Sequence, residues 1–350
     1  MSMSLLPKSI PIPVPDRLLL RAPNWLGDAV MALPAVRALK RTHPGTELSV
    51  AAPAALAPLW AACPFVDRVI PLAHPRRYRS TVSVLRRERF TMALLFPNSF
   101  RSAFEARRAG IGQLVAFDTP WRNLLVSHRV LRRPFDPRRL HQSYDYLHLV
   151  SALGAPHAPD LEEGEPVEGG LLRIAKTADL PASEIEPAPI VICPGAAYGP
   201  AKRWPAARFA EVGRALAERH AAPIVVMGAG GDAPAAAEVA AAIPGARDLA
   251  GKTDLAAFMA TIARARLVVT NDSGAMHLAA AFGTPGVAIF GSTEPRLTGP
   301  IDPCVRVERF HVPCSPCFLR ECPLDFACME RVTAAAVLAS CEKALAEVAA

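Results

Sequence analysis

Short, unbroken apolar runs recur along the chain, separated by longer stretches whose apolar positions return with helical period. A run of that length suits a strand buried on both faces, and the 3.6-residue period suits a helix that covers it. Arg17–Arg21 (RLLLR) opens the series as a strand, APNWLGD follows as a loop, and 29–41 reads as a helix. Further strands are expected at 48–51, 68–71, 92–96 and 114–117, and a helix at 141–153 closes the first half. An acidic, proline-containing stretch then leads into a second series. Its strands are expected at 190–193, 223–227, 266–270 and 286–290, and its helices at 205–219, 234–242, 255–264 and 275–282, with a last one at 331–348. Alternation of this kind predicts an α/β chain with parallel sheets covered on both faces. The expected organisation is one domain over 1–160, a linker over 161–188, a second domain over 189–330 and a C-terminal helix over 331–350.

Composition agrees with that reading. At 350 residues and 51% hydrophobic content the chain is long enough for two domains with large cores and too apolar for intrinsic disorder. The opening MSMSLLPKSIPIPVP has a single lysine and no continuous apolar stretch before its prolines, so it does not read as a secretory signal. The longest apolar candidate, 278–291, is interrupted by Gly283, Pro285 and Gly286 and falls short of the roughly 18 residues of a membrane span. The expectation is a cytoplasmic protein.

Charge is divided unequally. The net charge is +7, yet residues 1–160 hold 22 Lys and Arg against 10 Asp and Glu, whereas 161–350 hold 17 against 22. The excess sits in arginine clusters: Arg76, Arg77 and Arg79; Arg86, Arg87 and Arg89; Arg107 and Arg108; Arg132 and Arg133; Arg138 and Arg139. Such a field attracts an anionic partner: nucleic acid, anionic lipid or a phosphorylated substrate. A solvated basic surface accounts equally well for any one pair.

Four strand-to-helix turns carry candidate chemistry. In LVVTNDSGAMHLAAAFG a strand ends at Thr270 and a helix starts near Ala275, so the free amides of its first turn make an anion site. Asp272 is placed to accept from ligand hydroxyls and His277 lies in the first helical turn; an N-cap with a packed histidine accounts for the same residues. In CPGAAYGPAKRWPAARF, Lys202 and Arg203 precede a helix with Pro205 expected at its first position, where a cation and free amides share a phosphate. GAGGDAPA fits the loose dinucleotide fingerprint, but it follows the second strand of its series rather than the first, and Asp232 is alternatively a ribose contact. Asn24-Trp25-Leu26-Gly27-Asp28 sets a carboxylate after the first strand, fit for a general base or for a plain helix cap. Cys314, Cys317, Cys322 and Cys328 lie close together in HVPCSPCFLRECPLDFACME. Dense cysteines suggest metal more than disulfides in a cytosolic chain, yet the spacing matches neither a zinc ribbon nor a plant-type ferredoxin run. A metal site and a reduced, redox-labile loop both remain open.

Taken together, RAPNWLGDAVMALPAVRAL, PGAAYGPAKRWP, GAGGD, TNDSGAMHLAAAFGTPGVAIFGST and the cysteine-bearing tail resemble the ADP-heptose:lipopolysaccharide heptosyltransferases of glycosyltransferase family 9. NWLGDAVM with CSPCFLRECP looks most like the members that add the second inner-core heptose; related members act at other core positions or transfer other sugars. The resemblance implies a GT-B fold, two Rossmann-like parallel-sheet domains facing a central cleft, with acceptor on the first and nucleotide sugar on the second. It implies an inverting displacement with no metal and no cofactor, in which Asp28 deprotonates the acceptor hydroxyl. Donor contacts are expected from Lys202, Asp232, Asp272, Ser273, Gly274, Ala275, Met276 and His277. Relatives often carry Glu where this chain has Asp232. Acceptor contacts are expected from Asn24, Arg76, Arg77, Arg79, Arg132 and Arg133. The implied partners are ADP-heptose, a heptosylated Kdo-lipid A acceptor and, peripherally, the inner membrane leaflet, with no nucleic acid. Two rival classes, a nicotinamide-dependent oxidoreductase using the Gly228 loop and a nucleic-acid-binding module, rest on the fingerprint and on the basic half respectively.

Overall fold

The computed structural model describes residues 11–73, 78–132, 141–156, 185 and 187–349, and the side chains among them up to 347. The chain divides into two compact units, Met1–Glu165 and Pro166–Ala350.

In the first unit the strands are β1 (Arg17–Arg21), β2 (Glu47–Pro53), β3 (Arg68–Leu72), β4 (Met92–Leu95), β5 (Gln113–Phe117) and β6 (His128–Val130). All pair in parallel in the order β3-β2-β1-β4-β5-β6. Helices α1 (Leu26–Met31), α2 (Leu33–Thr42), α3 (Ala57–Ala61), α4 (Tyr78–Glu88), α5 (Phe100–Arg108) and α6 (Ser143–Ser151) connect and cover them. The inner strands read as continuous apolar runs because both faces are covered: Leu18, Leu19 and Leu20 are each 0–1% exposed.

The second unit repeats the plan. Strands β7 (Ile190–Cys193), β8 (Ile224–Val226), β9 (Arg247–Asp248), β10 (Leu267–Asn271), β11 (Gly286–Phe290) and β12 (Val305–Arg309) form a parallel sheet in the order β12-β11-β10-β7-β8-β9. Its helices are α7 (Ala206–His220), α8 (Ala233–Ala241), α9 (Leu255–Arg264), α10 (Gly274–Phe282), α11 (Pro295–Thr298), α12 (Ala327–Glu330) and α13 (Ala334–Ala349). Read outward from their first strands, both sheets follow the 3-2-1-4-5-6 order of dinucleotide-binding folds. The order reverses between β1 and β4 in one and between β7 and β10 in the other.

Several boundaries differ from the sequence expectation. The helix expected over 29–41 is two: α1 starts at Leu26, inside the expected loop, and α2 restarts at Leu33 with Pro34 in its first turn, the position proline tolerates. Pro205 is the cap residue of α7, not its first helical residue. The last helix starts at Ala334 rather than 331, because the Thr333 hydroxyl accepts the Ala336 N–H at 3.2 Å and so fixes its first turn. Strands β6, β9 and β12 were not expected; they are short or charged edge positions without an apolar run. Residues 161–184 and 186 of the expected linker lie outside the described residues.

Candidate active site

In the second unit the site grows from the reversal point between β7 and β10. β10 ends in Asn271, which is fully buried. Its side-chain amide donates to the Pro194 carbonyl at 2.7 Å and its carbonyl accepts the Trp204 N–H at 3.0 Å. Asn271 thus fastens both ends of the loop after β7 to the carboxyl edge of β10, and that loop carries Lys202. Sequence reasoning gave Asn271 no part in the site.

Lys202 Nζ lies 2.5 Å from Asp272 Oδ2, and the Thr293 hydroxyl donates to the same oxygen at 2.6 Å. Asp272 is 6% exposed. A carboxylate this deep requires a paired cation, and the pair in turn fixes the ammonium at the sheet edge. Tyr198 sits beside it, its ring centroid 5.0 Å from Lys202 Nζ. Ser273, not Asp272, is the cap of α10: its hydroxyl accepts the Ala275 N–H at 3.3 Å. Gly274 opens the helix, and Ala275, Met276 and His277 complete its first turn as buried residues. The site therefore sets an ammonium group, positioned by a buried carboxylate, beside a helix N-terminus, and the ammonium and the helix end favour a bound diphosphate.

Asp232 ends the glycine-rich turn after β8, where its carboxylate accepts the Ala229 N–H at 3.0 Å. It packs over the turn after β7 so closely that a Cβ at Gly195 would lie 2.1 Å from Asp232 Cγ, and one at Gly228 2.9 Å from Asp232 Cβ. Gly195 and Gly228 give room to a carboxylate of the same chain, so the first glycine of the loose fingerprint is accounted for without a dinucleotide.

The cysteine-bearing loop braces this site. Tyr198 Oη donates to the Phe318 carbonyl at 2.7 Å, and the Ala201 N–H donates to the Arg320 carbonyl at 3.0 Å. The Ser315 hydroxyl and the Phe318 N–H hold the other side of the loop to the carbonyls of Gly291 and Ser292 after β11. Cys314, Cys317, Cys322 and Cys328 are free thiols lining one small cavity with Ser292 and Asp325. Burial, and then the other three sulfurs, push the Cys328 thiol pKa up. Among the described residues no group of three or more His, Cys, Asp or Glu side chains is arranged to hold a metal ion.

In the first unit Asp28 lies in the first turn of α1, just past the carboxyl end of β1. It is not the helix cap; that position is Trp25, which makes no side-chain cap bond. Gln142, at the start of α6, donates from Nε2 to Asp28 Oδ1 at 3.1 Å. Burial raises the Asp28 pKa above the usual carboxylate value, and the Gln142 bond offsets part of that rise. A half-buried, tethered carboxylate with a raised pKa suits proton abstraction from a hydroxyl. Neither Gln142 nor the nearby Tyr146 carried any motif signal; only the packing of α6 against α2, the helix that follows α1, brings them near Asp28.

The acceptor-side expectations divide. Asn24 is exposed and accepts from Arg21 Nη2 at 3.2 Å. Arg79 is exposed and leans on Tyr78, whereas Arg132 stacks over the Phe117 ring at 5.3 Å. Arg76, Arg77 and Arg133, with Arg138 and Arg139, lie outside the described residues.

Comparison with known proteins narrows the class. The family model for glycosyltransferase family 9 (heptosyltransferase) matches residues 78–327. Lipopolysaccharide heptosyltransferase 2 of Escherichia coli K12 is 33% identical over 316 residues, covering 84% of this chain and 88% of that protein. The Salmonella typhimurium protein of the same name is 34% identical with the same coverage. The solved structure of E. coli ADP-heptose lipopolysaccharide heptosyltransferase II superposes with a TM-score of 0.78 at 28% identity, covering 95% of this chain and 100% of that one. Two six-stranded parallel sheets of Rossmann order are the GT-B arrangement, and the nicotinamide and nucleic-acid readings fall away. The chain is a glycosyltransferase and belongs to family 9, the heptosyltransferases.

Proposed function

We propose that this enzyme transfers L-glycero-D-manno-heptose from ADP-heptose to the first heptose of the lipopolysaccharide inner core, as a heptosyltransferase II. The observation that carries the reading is the Lys202–Asp272 pair at the N-terminus of α10, in a chain one-third identical to enzymes of that name. Lys202 and the free amides of α10 take the donor diphosphate, with Asp272 and Asp232 placed for its polar groups. Asp28 removes the proton of the acceptor hydroxyl, and that oxygen attacks the anomeric carbon from the face opposite ADP. As the bond to ADP breaks, negative charge grows on the departing diphosphate, where a fixed ammonium and helix dipole stabilise it most. The configuration at the anomeric carbon is inverted.

The acceptor is a heptosylated Kdo-lipid A, an anionic lipid-linked sugar, and the arginine-rich first unit suits it. Contact with the inner leaflet fits the same surface. Trp121 and Leu124 follow the end of β5 and Leu131 follows β6; they are 72–86% exposed, with Arg132 next in sequence. Apolar side chains beside cations favour an anionic interface. No described helix is long and apolar enough to cross a membrane.

The decisive assay measures ADP release from ADP-heptose with and without mono-heptosylated di-Kdo lipid A. Acceptor-dependent release is the expected result. Release with an unheptosylated acceptor only would move the enzyme to another core position, and no release with either would overturn the reading.

A further inference from the structure

The loop between β12 and α12, which carries the clustered cysteines, braces the donor side but supplies no group to the steps above. Its middle is held by backbone hydrogen bonds rather than by burial of side chains: Phe318 and Leu319 are 46% and 45% exposed. The Phe318 N–H donates to the Ser292 carbonyl at 2.8 Å, and the Phe318 carbonyl accepts from Tyr198 Oη at 2.7 Å. The Arg320 carbonyl accepts the Ala201 N–H at 3.0 Å. That approach requires glycine at 199, where any Cβ would collide with the Arg320 carbonyl oxygen. Ala201 precedes Lys202 and Ser292 precedes Thr293. The loop is therefore tied on both sides to the neighbours of the cluster formed by Lys202, Asp272 and Thr293.

The side chain that this loop brings to the cluster is Arg320. Its Cζ lies 5.2 Å from the centroid of the Tyr198 ring, and Lys202 Nζ lies 5.0 Å from the same centroid. Two cations thus share one aromatic ring, whose electron-rich faces attract both. Asp272 neutralises Lys202 at 2.5 Å, whereas Arg320 has no carboxylate of its own: its guanidinium makes no ion pair or hydrogen bond with a described residue. Arg320 is exposed, so its N–H donors are open to a ligand.

Charge balance says which ligand. The Lys202–Asp272 pair is neutral as a unit, while a nucleotide diphosphate is an anion and gains charge as its sugar departs. The cluster is short of a cation, and Arg320 supplies one. A guanidinium also presents paired donors that match two phosphate oxygens, which an ammonium does not.

We propose that Arg320 binds the diphosphate of the sugar nucleotide together with Lys202, and that the Tyr198 ring holds the guanidinium beside the site until the donor arrives. The inference rests on the transfer reading above and adds a donor-binding residue to it.

The test titrates ADP and adenosine into wild type, Arg320→Gln and Arg320→Lys by calorimetry, and measures donor and acceptor KM for each. The Arg320 side chain touches only the Tyr198 ring and its carbonyl remains in place, so both variants keep the loop. Arg320→Gln should weaken ADP binding by about tenfold or more, as expected for losing one charged hydrogen bond. The donor KM should rise by a similar factor, with adenosine affinity and acceptor KM unchanged. Arg320→Lys should recover part of the loss, because it restores the charge without the paired donors. Equal ADP affinity of wild type and Arg320→Gln overturns the assignment. An equal loss for ADP and adenosine overturns it as well, since a displaced loop would weaken both. Absent ADP release by wild type sinks the transfer reading alone, because the ADP titration needs no turnover.

Discussion

Burial raises the Asp28 pKa while the Gln142 amide draws it back down, so two neighbours set one titration from opposite sides. A carboxyl whose folded-state pKa is raised binds its proton more tightly in the native chain than in the unfolded one. Ionising it therefore costs stability, progressively, as pH rises from the unfolded to the folded pKa. Asp28→Asn removes that cost along with the proposed base. Its kcat should fall by about a hundredfold or more, within the usual general-base range, while its melting temperature at neutral pH stays at or above that of wild type. Near-normal turnover would remove Asp28 from its role. Gln142→Leu should leave the protein folded and move the acidic limb of the kcat–pH profile upward; an unmoved limb would mean that Gln142 does not tune the base. In the second unit, Lys202→Met strands a buried carboxylate and should destabilise the protein by about 3 kcal/mol as well as slowing turnover. Adding Asp272→Asn should recover much of the stability and none of the turnover, a pattern that mere misfolding cannot give.

At the scale of elements, the site depends on how closely turns approach one another. Gly195 has a job that no turn propensity defines: it leaves space for Asp232, which reaches it from the next strand's turn. Gly195→Ala should cost about 1–3 kcal/mol as an overpacked contact and raise the donor KM, with acceptor KM unchanged; equal effects on both would show global disturbance instead. The same scale shows what the sequence pattern could read. Buried strands such as β1, β7 and β11 appear in it with their ends, because both faces are covered and their buried residues form unbroken apolar runs. β12 (VRVER) does not, because an edge strand leaves charged residues room beside solvent, and its run is broken by arginine and glutamate. The break between α1 and α2 was hidden because the apolar period runs on across Ala32 and Leu33, both fully buried.

The whole molecule is organised by charge as well as by topology. The proposal that the arginine-rich first unit takes an anionic lipid-linked acceptor predicts that reversing Arg79 and Arg132 to glutamate raises the acceptor KM and leaves donor binding unchanged. A parallel experiment concerns the exposed apolar side chains. Trp121 is held in the left-handed backbone region, φ 64°, and is 81% exposed, an arrangement that costs on the order of 1 kcal/mol. Trp121→Glu with Leu124→Glu should weaken co-sedimentation with phosphatidylglycerol vesicles and leave kcat/KM on a delipidated acceptor intact. Undiminished vesicle binding would detach these residues from the membrane.

The sequence alone determined the α/β class, the two-unit repeat and the turns that carry Asp28, Lys202, Asp232 and Asp272. Each follows from local rules: apolar period, helix caps, and polar residues where a strand hands over to a helix. Only the tertiary structure decided which of these residues touch. The Lys202–Asp272 pair spans 70 positions and the Gln142–Asp28 bond 114. Such contacts are fixed by strand order and burial, and a charge's pKa and partner depend on what surrounds it in space rather than on what precedes it in the chain.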